Sequence, residues 1–392
     1  MIDKLECGVM PYAWGSKTAI AALRGLPAST APEAELWMGA HPALPSRLRR
    51  DGAHRSLIEV IDADPHAELG RAAAQAFDGR LPFLLKVLAA DSPLSLQVHP
   101  DANLARAGFE AEESARVPRS AAHRNYRDAS HKPELLCALG PFEALSGFRP
   151  AAEIAAVFAA LGVAQLEAFA ARLRREPSAI AEVFRALMTM EARAALVEDV
   201  ARSAKTLPAE LRADAELVER LVAIYPGDVG VIGALMLNRV ELSAGEAIYL
   251  GAGQLHAYLG GVGVEIMASS DNVLRGGLTP KHVDVPELMR ALDFEPRRPD
   301  VLSPRALDTF ERLYDTPARE FALSVIRSAG AELTRSTSGP ELLLVTEGVA
   351  QVRSANGVAL ELARGEVAFV SGRAAPSYSL RGAFELFRAR VP

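Results

Sequence analysis

The sequence predicts a mainly β protein with a helical insert between two β regions. Short apolar runs bounded by Pro and Asp, such as residues 81–90, are typical of buried strands. Between residues 151 and 224 the composition shifts to Ala, Leu, Glu and Arg, with apolar residues at helical spacing. After residue 225, short strand-like runs return and are separated by turn residues.

Length, charge and cysteine content limit the class of protein. At 392 residues the chain is longer than one hydrophobic core usually supports, so two or three domains are expected. A net charge of −6 argues against nucleic acid or an anionic membrane as the main partner. The two cysteines, Cys7 and Cys137, are far apart in sequence, which argues against a disulfide framework. No run of about 18 apolar residues occurs that would indicate a membrane-spanning helix. We therefore expect a cytoplasmic globular protein, monomeric, without a membrane partner.

The first β region contains strand-like runs at 81–90 and 94–100. The stretch 101–130 that follows is polar and poor in periodicity, so it is interpreted as a long surface loop, which in a compact domain is often functional.

The helical insert is predicted from apolar residues three, four and seven positions apart. One such face is formed by Ile180, Val183, Phe184, Leu187 and Met188. Pro177 and Pro208 lie where helices can begin, and the Pro-Gly pair at 226–227 ends the helical region.

The C-terminal region is predicted to be a sandwich or barrel of antiparallel strands. Phe321, Leu323 and Val325 alternate with smaller residues, and further apolar runs follow at 341–352, 357–363 and 365–372. No histidine occurs after His282, so this region is taken to be structural. The predicted domains are 1–150 with 225–300, which form a discontinuous metal-binding catalytic domain, then 151–224 and 301–392.

Four residues form a candidate metal site. Gln97 and His99 are two apart in a strand-like run, so both side chains point to the same face. Glu134 follows a Lys-Pro step, and His256 follows a Gly-rich turn. Together they offer nitrogen and oxygen ligands with one carboxylate, a set that suits zinc, also accommodates Mn, Co or Fe, and leaves the ion a good Lewis acid.

The run Gly245–His256 resembles the second motif of the cupin barrels, G-x5-P-x-G-x2-H, with Gly251 in the place of Pro. The resemblance implies a cupin-type jelly-roll barrel with the metal inside, and a cupin-like C-terminal β domain.

Longer motifs resemble the class I mannose-6-phosphate isomerases. They are YAWGS (12–16), AELWMGAHP (34–42), SLQVHP (95–100), HRNYRDASHKPE (123–134) and SSDNVLRGGLTPK (269–281). The resemblance implies one zinc ion per chain, held by Gln97, His99, Glu134 and His256, and Arg275 in the active site. It also implies a sugar phosphate as partner, and interconversion of D-mannose 6-phosphate and D-fructose 6-phosphate by proton transfer between C2 and C1 through an enediolate.

Several residues remain open for the other roles that this chemistry needs. Glu265 and Asp271 are candidates for the base, and Lys281 or His131 for ring opening. The phosphate requires cations and donors, for which the candidates are Ser95, Lys86, Lys132 and Arg275. Tyr258 is two residues beyond His256 and is a candidate for lining the sugar pocket, although a core tyrosine fits equally well.

Two other functions are alternatives to the isomerase. Another cupin metalloenzyme, such as an iron dioxygenase, favours two histidines and one carboxylate, whereas Gln97 adds a fourth ligand and the cations favour a phosphate. A non-catalytic sugar sensor on the same barrel would lack metal ligands or acid–base groups, and none is missing from the sequence.

Overall fold

Residues 1–355, 357–373 and 377–392 are described by the structure, a computed structural model. Strands make up 34% and helices 29% of the chain, so the mainly β class with a helical region is confirmed. Within the described ranges, no helix combines the length and the apolar character needed to cross a bilayer.

The first β region is interrupted by short helices. Its elements are β1 (Ile2–Glu6), β2 (Gly8–Met10), α1 (Ala19–Leu23), β3 (Glu35–Met38), β4 (Arg47–Arg50), β5 (Ala53–Ser56), α2 (Leu57–Ala63), α3 (Pro65–Leu69), α4 (Arg71–Ala76), β6 (Phe83–Ala90), β7 (Gln97–Val98), α5 (Ala102–Ser114), β8 (Glu134–Ala138) and β9 (Phe142–Phe148).

The predicted surface loop at 101–130 is wrong in its first half, because α5 lies there. Asp101 begins the helix by accepting hydrogen bonds from the backbone N–H groups of Asn103 and Leu104. Ala105 is the one fully buried residue of this helix. Because α5 buries so little of its surface, its sequence shows no strong apolar period. The rest of the segment is held to α5 by the buried Arg124, which donates to the Tyr126 carbonyl and to Glu113.

The helical insert is confirmed. Its helices are α6 (Ala151–Ala160), α7 (Ala164–Arg175), α8 (Ile180–Thr189), α9 (Arg193–Ala204) and α10 (Arg212–Ile224). A further short helix, α11 (Gly230–Ala234), lies beyond the predicted end at residue 224, where strands were expected, so that part of the prediction is wrong. Short 3-10 turns that begin at Pro177 and at Ala209, directly after Pro208, precede α8 and α10. The predicted face of α8 is buried along its whole length, and Phe184 on that face contacts Phe148 of β9.

The remaining strands complete two large sheets. They are β10 (Leu237–Leu242), β11 (Ala247–Leu250), β12 (His256–Ala268), β13 (Leu274–Arg275), β14 (Val301–Leu302), β15 (Arg305–Ala306), β16 (Glu311–Tyr314), β17 (Ala322–Ser336), β18 (Glu341–Ser354), β19 (Ala359–Ala363), β20 (Val367–Val370) and β21 (Ser377–Arg390), with α12 (Val285–Ala291) between β13 and β14.

The strand orders show which parts of the chain pair. The first sheet, here called the site sheet, has the order β14-β11-β8-β12-β6-β3-β2, with β7, β9, β10 and β13 paired alongside. The second has the order β15-β16-β17-β21-β18-β20-β1-β4-β5, so three N-terminal strands extend the C-terminal sheet. Among the described residues neither order returns to its first strand, so the predicted barrel is open rather than closed.

Two large apolar cores cross the predicted domain limits. One joins the insert helices to residues near the site sheet, such as Leu96, Val98 and Phe148. Another joins the site sheet to the C-terminal sheet, with Leu85 and Phe387 among its members. The predicted division at residues 150, 224 and 300 stays a prediction.

Candidate metal centre and substrate cavity

Strand pairing brings the predicted metal ligands together. His256 begins β12 and pairs with Gln97 of β7, and Arg275 of β13 pairs with Gln97 on its other side. Glu134 begins β8, which runs antiparallel to the far end of β12, where it pairs with Met267. Ligands far apart in sequence thus meet over one face of the site sheet.

A β-bulge in β12 places His256 and Glu265 on the same side of the sheet. The two residues are nine positions apart, and in a regular strand an odd spacing would direct them to opposite faces. The pairing of β12 with β9 shifts by one residue between Tyr258 and Gly260, which reverses the alternation. Gly261 follows with a φ of 123°, and a Cβ there would lie 2.6 Å from the Phe142 ring. The Gly-Gly pair therefore permits the bulge.

His99, Glu134 and His256 form a buried cluster whose ligand atoms all lie within 4.8 Å of one another. Nδ1 of His99 lies 2.8 Å from the backbone oxygen of Asn272, and Nδ1 of His256 lies 2.9 Å from that of Gln254. A carbonyl oxygen only accepts, so each Nδ1 carries the proton and donates it. Both Nε2 lone pairs then remain free for a ligand.

The two Nε2 atoms face the same carboxylate. Oε2 of Glu134 is 3.3 Å from Nε2 of His99 and 3.7 Å from Nε2 of His256. The His99 contact has the distance of an ion pair, yet this buried Nε2 has no hydrogen-bond partner in the described chain. Two lone pairs directed at an anion repel it unless a cation lies between them, so these residues fit a divalent metal.

The electrostatics of the cluster favour its metal-binding protonation states. Burial lowers the pKa of His256 to about 4, so its imidazole is neutral at pH 7. Burial alone would raise the pKa of Glu134, but the charge of Lys132 holds it well below the usual value. The Nζ of Lys132 lies 2.9 Å from Oε1 of this glutamate.

Beside the cluster lies a second buried group of charges, centred on Lys86. Its Nζ is 3.2 Å from Oε2 of Glu265 and 3.6 Å from Oε2 of Glu35. Tyr258 donates its hydroxyl to Oε1 of Glu265 at 2.8 Å, and Trp37 donates Nε1 to Glu35 at 2.6 Å. Because two carboxylates neutralise Lys86, little of its charge is left for a phosphate.

The pKa values of this group follow from its burial. Desolvation raises the pKa of Glu265, although the charge of Lys86 opposes the shift. Desolvation would lower the pKa of Lys86, but Glu35 and Glu265 raise it, so the lysine holds its proton. The pKa of Tyr258 is raised well above its usual value by burial and by Glu265.

Both groups line one cavity of about 60 Å³, room for a few water molecules. Its walls include Gln97, Lys132, Glu134, His256, Tyr258, Glu265, Lys86 and Glu35. A larger cavity of about 220 Å³ lies in the C-terminal sheet, but Arg388 and Glu341 in its wall bind each other. The chemistry is therefore expected at the smaller cavity.

Arg275, which pairs with Gln97, lies within electrostatic range of two further cations, Arg127 and Lys281. Burial lowers the pKa of Arg275, and the charge of Arg127 lowers it further. Burial also lowers the pKa of Lys281, and the charges of Arg275 and Arg127 lower it further. No ion pair joins any of the three to a carboxylate in the ranges that the structure describes. Arg127, Arg275 and Lys281, here called the cation cluster, are thus arranged to receive an anion.

Other predicted residues lie outside the cavity wall. Asp271 is half exposed and lies 3.4 Å from His41, which lowers its pKa. His131 contacts Glu320 through Nε2 at 2.7 Å. Ser95 accepts a hydrogen bond from Nε2 of Gln97 at 3.2 Å, which leaves Oε1 as the amide atom that can serve as a ligand.

Sequence reasoning missed two residues, Glu35 and Arg127. Both lie inside motifs that carried the family resemblance, AELWMGAHP and HRNYRDASHKPE, and that position was the available signal. Neither residue has another candidate site residue next to it in the sequence at strand or helix spacing. Glu35 reaches the site through β3, and Arg127 reaches it through the segment after α5.

Comparison with known proteins agrees with this geometry. The family model for the catalytic domain of type I phosphomannose isomerase matches residues 2–151. Mannose-6-phosphate isomerase from Escherichia coli K12 is 39% identical over 384 residues, which are 96% of each chain. The chain belongs to the mannose-6-phosphate isomerase family. The predicted family and the predicted isomerase class are thereby confirmed.

Solved structures of this isomerase family share the whole fold. A mutant of phosphomannose isomerase from Salmonella typhimurium aligns with a TM-score of 0.92 at 36% identity, covering 100% of this chain and 99% of that one. A zinc-bound mannose 6-phosphate isomerase aligns with a TM-score of 0.90, at the same identity and coverage.

Proposed function

We propose that this chain interconverts D-mannose 6-phosphate and D-fructose 6-phosphate with the help of one zinc ion. The observation that carries the proposal is the position of the cation cluster beside the buried His99, Glu134 and His256. A phosphorylated sugar has an anion at one end and hydroxyl or carbonyl oxygens at the other, and the two sets of residues match those two ends.

Zinc would be held by His99, Glu134, His256 and the side-chain oxygen of Gln97. This set has two neutral imidazoles, one carboxylate and one amide, which are nitrogen and oxygen donors of the kind that zinc binds. Bound there, the ion supplies a Lewis acid that polarises the sugar oxygens at C1 and C2.

Glu265 is proposed as the group that moves the proton. Of the two carboxylates predicted for this role, Glu265 lines the cavity, whereas Asp271 is half exposed and bound to His41. Its carboxylate would take the proton from C2 of the open-chain aldose, leaving an enediolate, and return it to C1, while a second proton passes between O1 and O2. The raised pKa of Glu265 makes it a stronger base than an ordinary glutamate.

Lys86 and Tyr258 would orient this base. Lys86 contacts one oxygen of Glu265, and Tyr258 donates a hydrogen bond to the other. Holding both oxygens fixes the carboxylate plane, which is the orientation that efficient proton transfer requires. Lys132, paired with Glu134, would hold a proton near the sugar oxygens.

The cation cluster would bind the phosphate. Arg275 is next to Gln97 in the strand pairing, so the phosphate end would be one strand away from the metal ligands. Two guanidinium groups and an ammonium group provide the charge-assisted donors that a phosphate dianion needs.

The test is isomerisation of mannose 6-phosphate before and after chelation, with zinc then added back. We expect turnover to stop on chelation, to return with zinc, and to be abolished in His256→Ala. His54→Ala is the matched control, because His54 is half exposed and contacts Glu6 at the surface. Turnover that survives both chelation and His256→Ala would contradict the metal assignment.

A further inference from the structure

Asn272 is fully buried, yet it lines neither the cavity nor the cation cluster. Its Nδ2 donates to the carbonyl oxygens of Asp128 at 2.7 Å and Ser130 at 2.9 Å. Its Oδ1 accepts from the backbone N–H of Arg127 at 2.7 Å. Both ends of one amide group are thus used to hold the segment 127–130.

The backbone oxygen of Asn272 makes a different contact. It accepts the Nδ1–H of His99 at 2.8 Å, and that bond leaves Nε2 of the imidazole directed at Glu134. The orientation and tautomer of a histidine ligand are set by the partner of its other nitrogen. A displacement of Asn272 would therefore turn the His99 ring.

Asp128 holds the same two segments from the other side. Its Oδ1 accepts from the hydroxyl of Ser270 at 2.9 Å, and its Oδ2 accepts from the backbone N–H of Asp271 at 2.8 Å. The Ser270 hydroxyl in turn accepts from the N–H of Asn272 at 3.2 Å. We call Asn272, Asp128 and Ser270 the Asn272 clamp.

We propose that Asn272 is a positioning residue that couples the metal centre to the cation cluster. Its carbonyl orients His99, while its side chain holds the segment that carries Arg127. The inference rests on the proposed function, because it takes the cluster as the phosphate site and His99 as a zinc ligand. It goes further by naming the residue that determines the geometry between the two.

Disruption of the Asn272 clamp should weaken both metal binding and anion binding. Loss of a group that orients a metal-bound histidine typically weakens metal binding by about 10- to 100-fold. Asn272→Ala would displace the carbonyl that orients His99 rather than remove it, so we expect an effect at the lower end of that range. Release of the segment 127–130 should also weaken anion binding, because Arg127 is exposed and the hydrogen bonds of its backbone N–H and of the next one go to the Asn272 amide. A residue that serves stability alone would change neither binding constant in the folded protein.

The experiment compares Asn272→Ala with Asn238→Ala. Asn238 is the matched control, since it is also buried and its Nδ2 donates to four backbone carbonyls, those of Ser146, Gly147, Phe148 and Arg297, but to no histidine and not to the segment 127–130. Zinc affinity of the apoprotein is measured by competition with a chromophoric chelator. Binding of inorganic phosphate to the zinc-loaded protein is measured by calorimetry, and thermal unfolding is recorded for each variant.

For Asn272→Ala we expect zinc binding to weaken by about tenfold, because the carbonyl that orients His99 is displaced, and phosphate binding to weaken as well, whereas Asn238→Ala loses stability alone. Equal zinc and phosphate binding in folded Asn272→Ala and wild type would overturn the proposal. Asp128→Ala, at a partly exposed position, decides the question if Asn272→Ala does not fold, with the same direction expected at both ends. Absence of zinc binding by the wild type would instead reject the proposed function.

Discussion

At the scale of single residues, the two halves of the site differ in whether their cations are paired with carboxylates. Lys86 is matched by two carboxylates and Lys132 by Glu134, so these lysines organise the acid–base groups. Among the described residues, Arg127 and Arg275 form no ion pair with a carboxylate, and repulsion from Arg127 lowers the pKa of Arg275. An anion that binds there relieves the repulsion, which favours the cation cluster over Lys86 as the phosphate site.

Arg127 gives a residue-scale prediction. Replacing it with alanine removes one charge-assisted donor, worth about 1.5–3 kcal/mol, so KM for mannose 6-phosphate should rise roughly 10- to 100-fold. The turnover number should change little, since Arg127 is remote from the carbons that exchange the proton. Steady-state kinetics at fixed ionic strength provide the measurement.

The control for Arg127→Ala is Arg119→Ala, an exposed arginine of the same segment that is paired with Glu113. It should leave both constants unchanged. A large fall in kcat with unaltered KM for Arg127→Ala would show that the arginine acts on the reacting atoms instead.

At the scale of elements, the helical insert is part of the structure that supports the site sheet. Phe184 of α8 packs against Phe148 of β9 and Phe294, with ring centroids 5.6 Å and 6.1 Å away. β9 in turn pairs with the start of β12, where His256 lies opposite Ser146. The insert thus contributes to the rigidity of the strand that carries His256 of the candidate metal cluster.

Phe184→Ala tests this arrangement. Truncating a fully buried phenylalanine typically costs about 3–5 kcal/mol, because apolar contact is lost and a cavity remains. We expect a loss of that size in the free energy of unfolding, measured with urea.

Arg185→Ala, on the exposed side of the same helix, should change the free energy of unfolding by less than about 0.5 kcal/mol. A similarly small effect of Phe184→Ala would mean that the insert is only loosely attached.

At the scale of the whole molecule, the N-terminal strands connect the two sheets. β1 pairs with β20 from Ile2 opposite Val370 to Leu5 opposite Val367. Residues of the C-terminal sheet such as Leu323 and Phe387 share an apolar core with Leu85 of the site sheet. The monomeric state and the cytoplasmic location stay predictions.

Removing residues 301–392 is therefore expected to abolish folding of the remainder. β1 would lose its partner β20, and the shared core would be exposed to water. Expression of residues 1–300, followed by size-exclusion chromatography and circular dichroism, should yield aggregated or insoluble material. A folded and active fragment would contradict this expectation and support the predicted boundary at residue 300.

The sequence by itself determined the elements whose signals are local. The spacing of apolar residues predicted the buried face of α8. The motifs around Gln97, Glu134 and His256 predicted the candidate metal ligands that the structure brings close together. It did not predict α5, because that helix has little apolar face and is defined by the Asp101 cap.

Only the tertiary structure decided how the charges are matched. Lys86 was one of four phosphate candidates in the sequence, but β6 places it between Glu35 and Glu265, whereas Arg127 was not a candidate and lies within electrostatic range of Arg275 and Lys281. The bulge in β12 also places Glu265 on the same side as His256, although a regular strand would direct residues nine positions apart to opposite faces. The physical reason is that electrostatic interactions depend on distance in space, and strand pairing sets those distances between residues far apart in the chain.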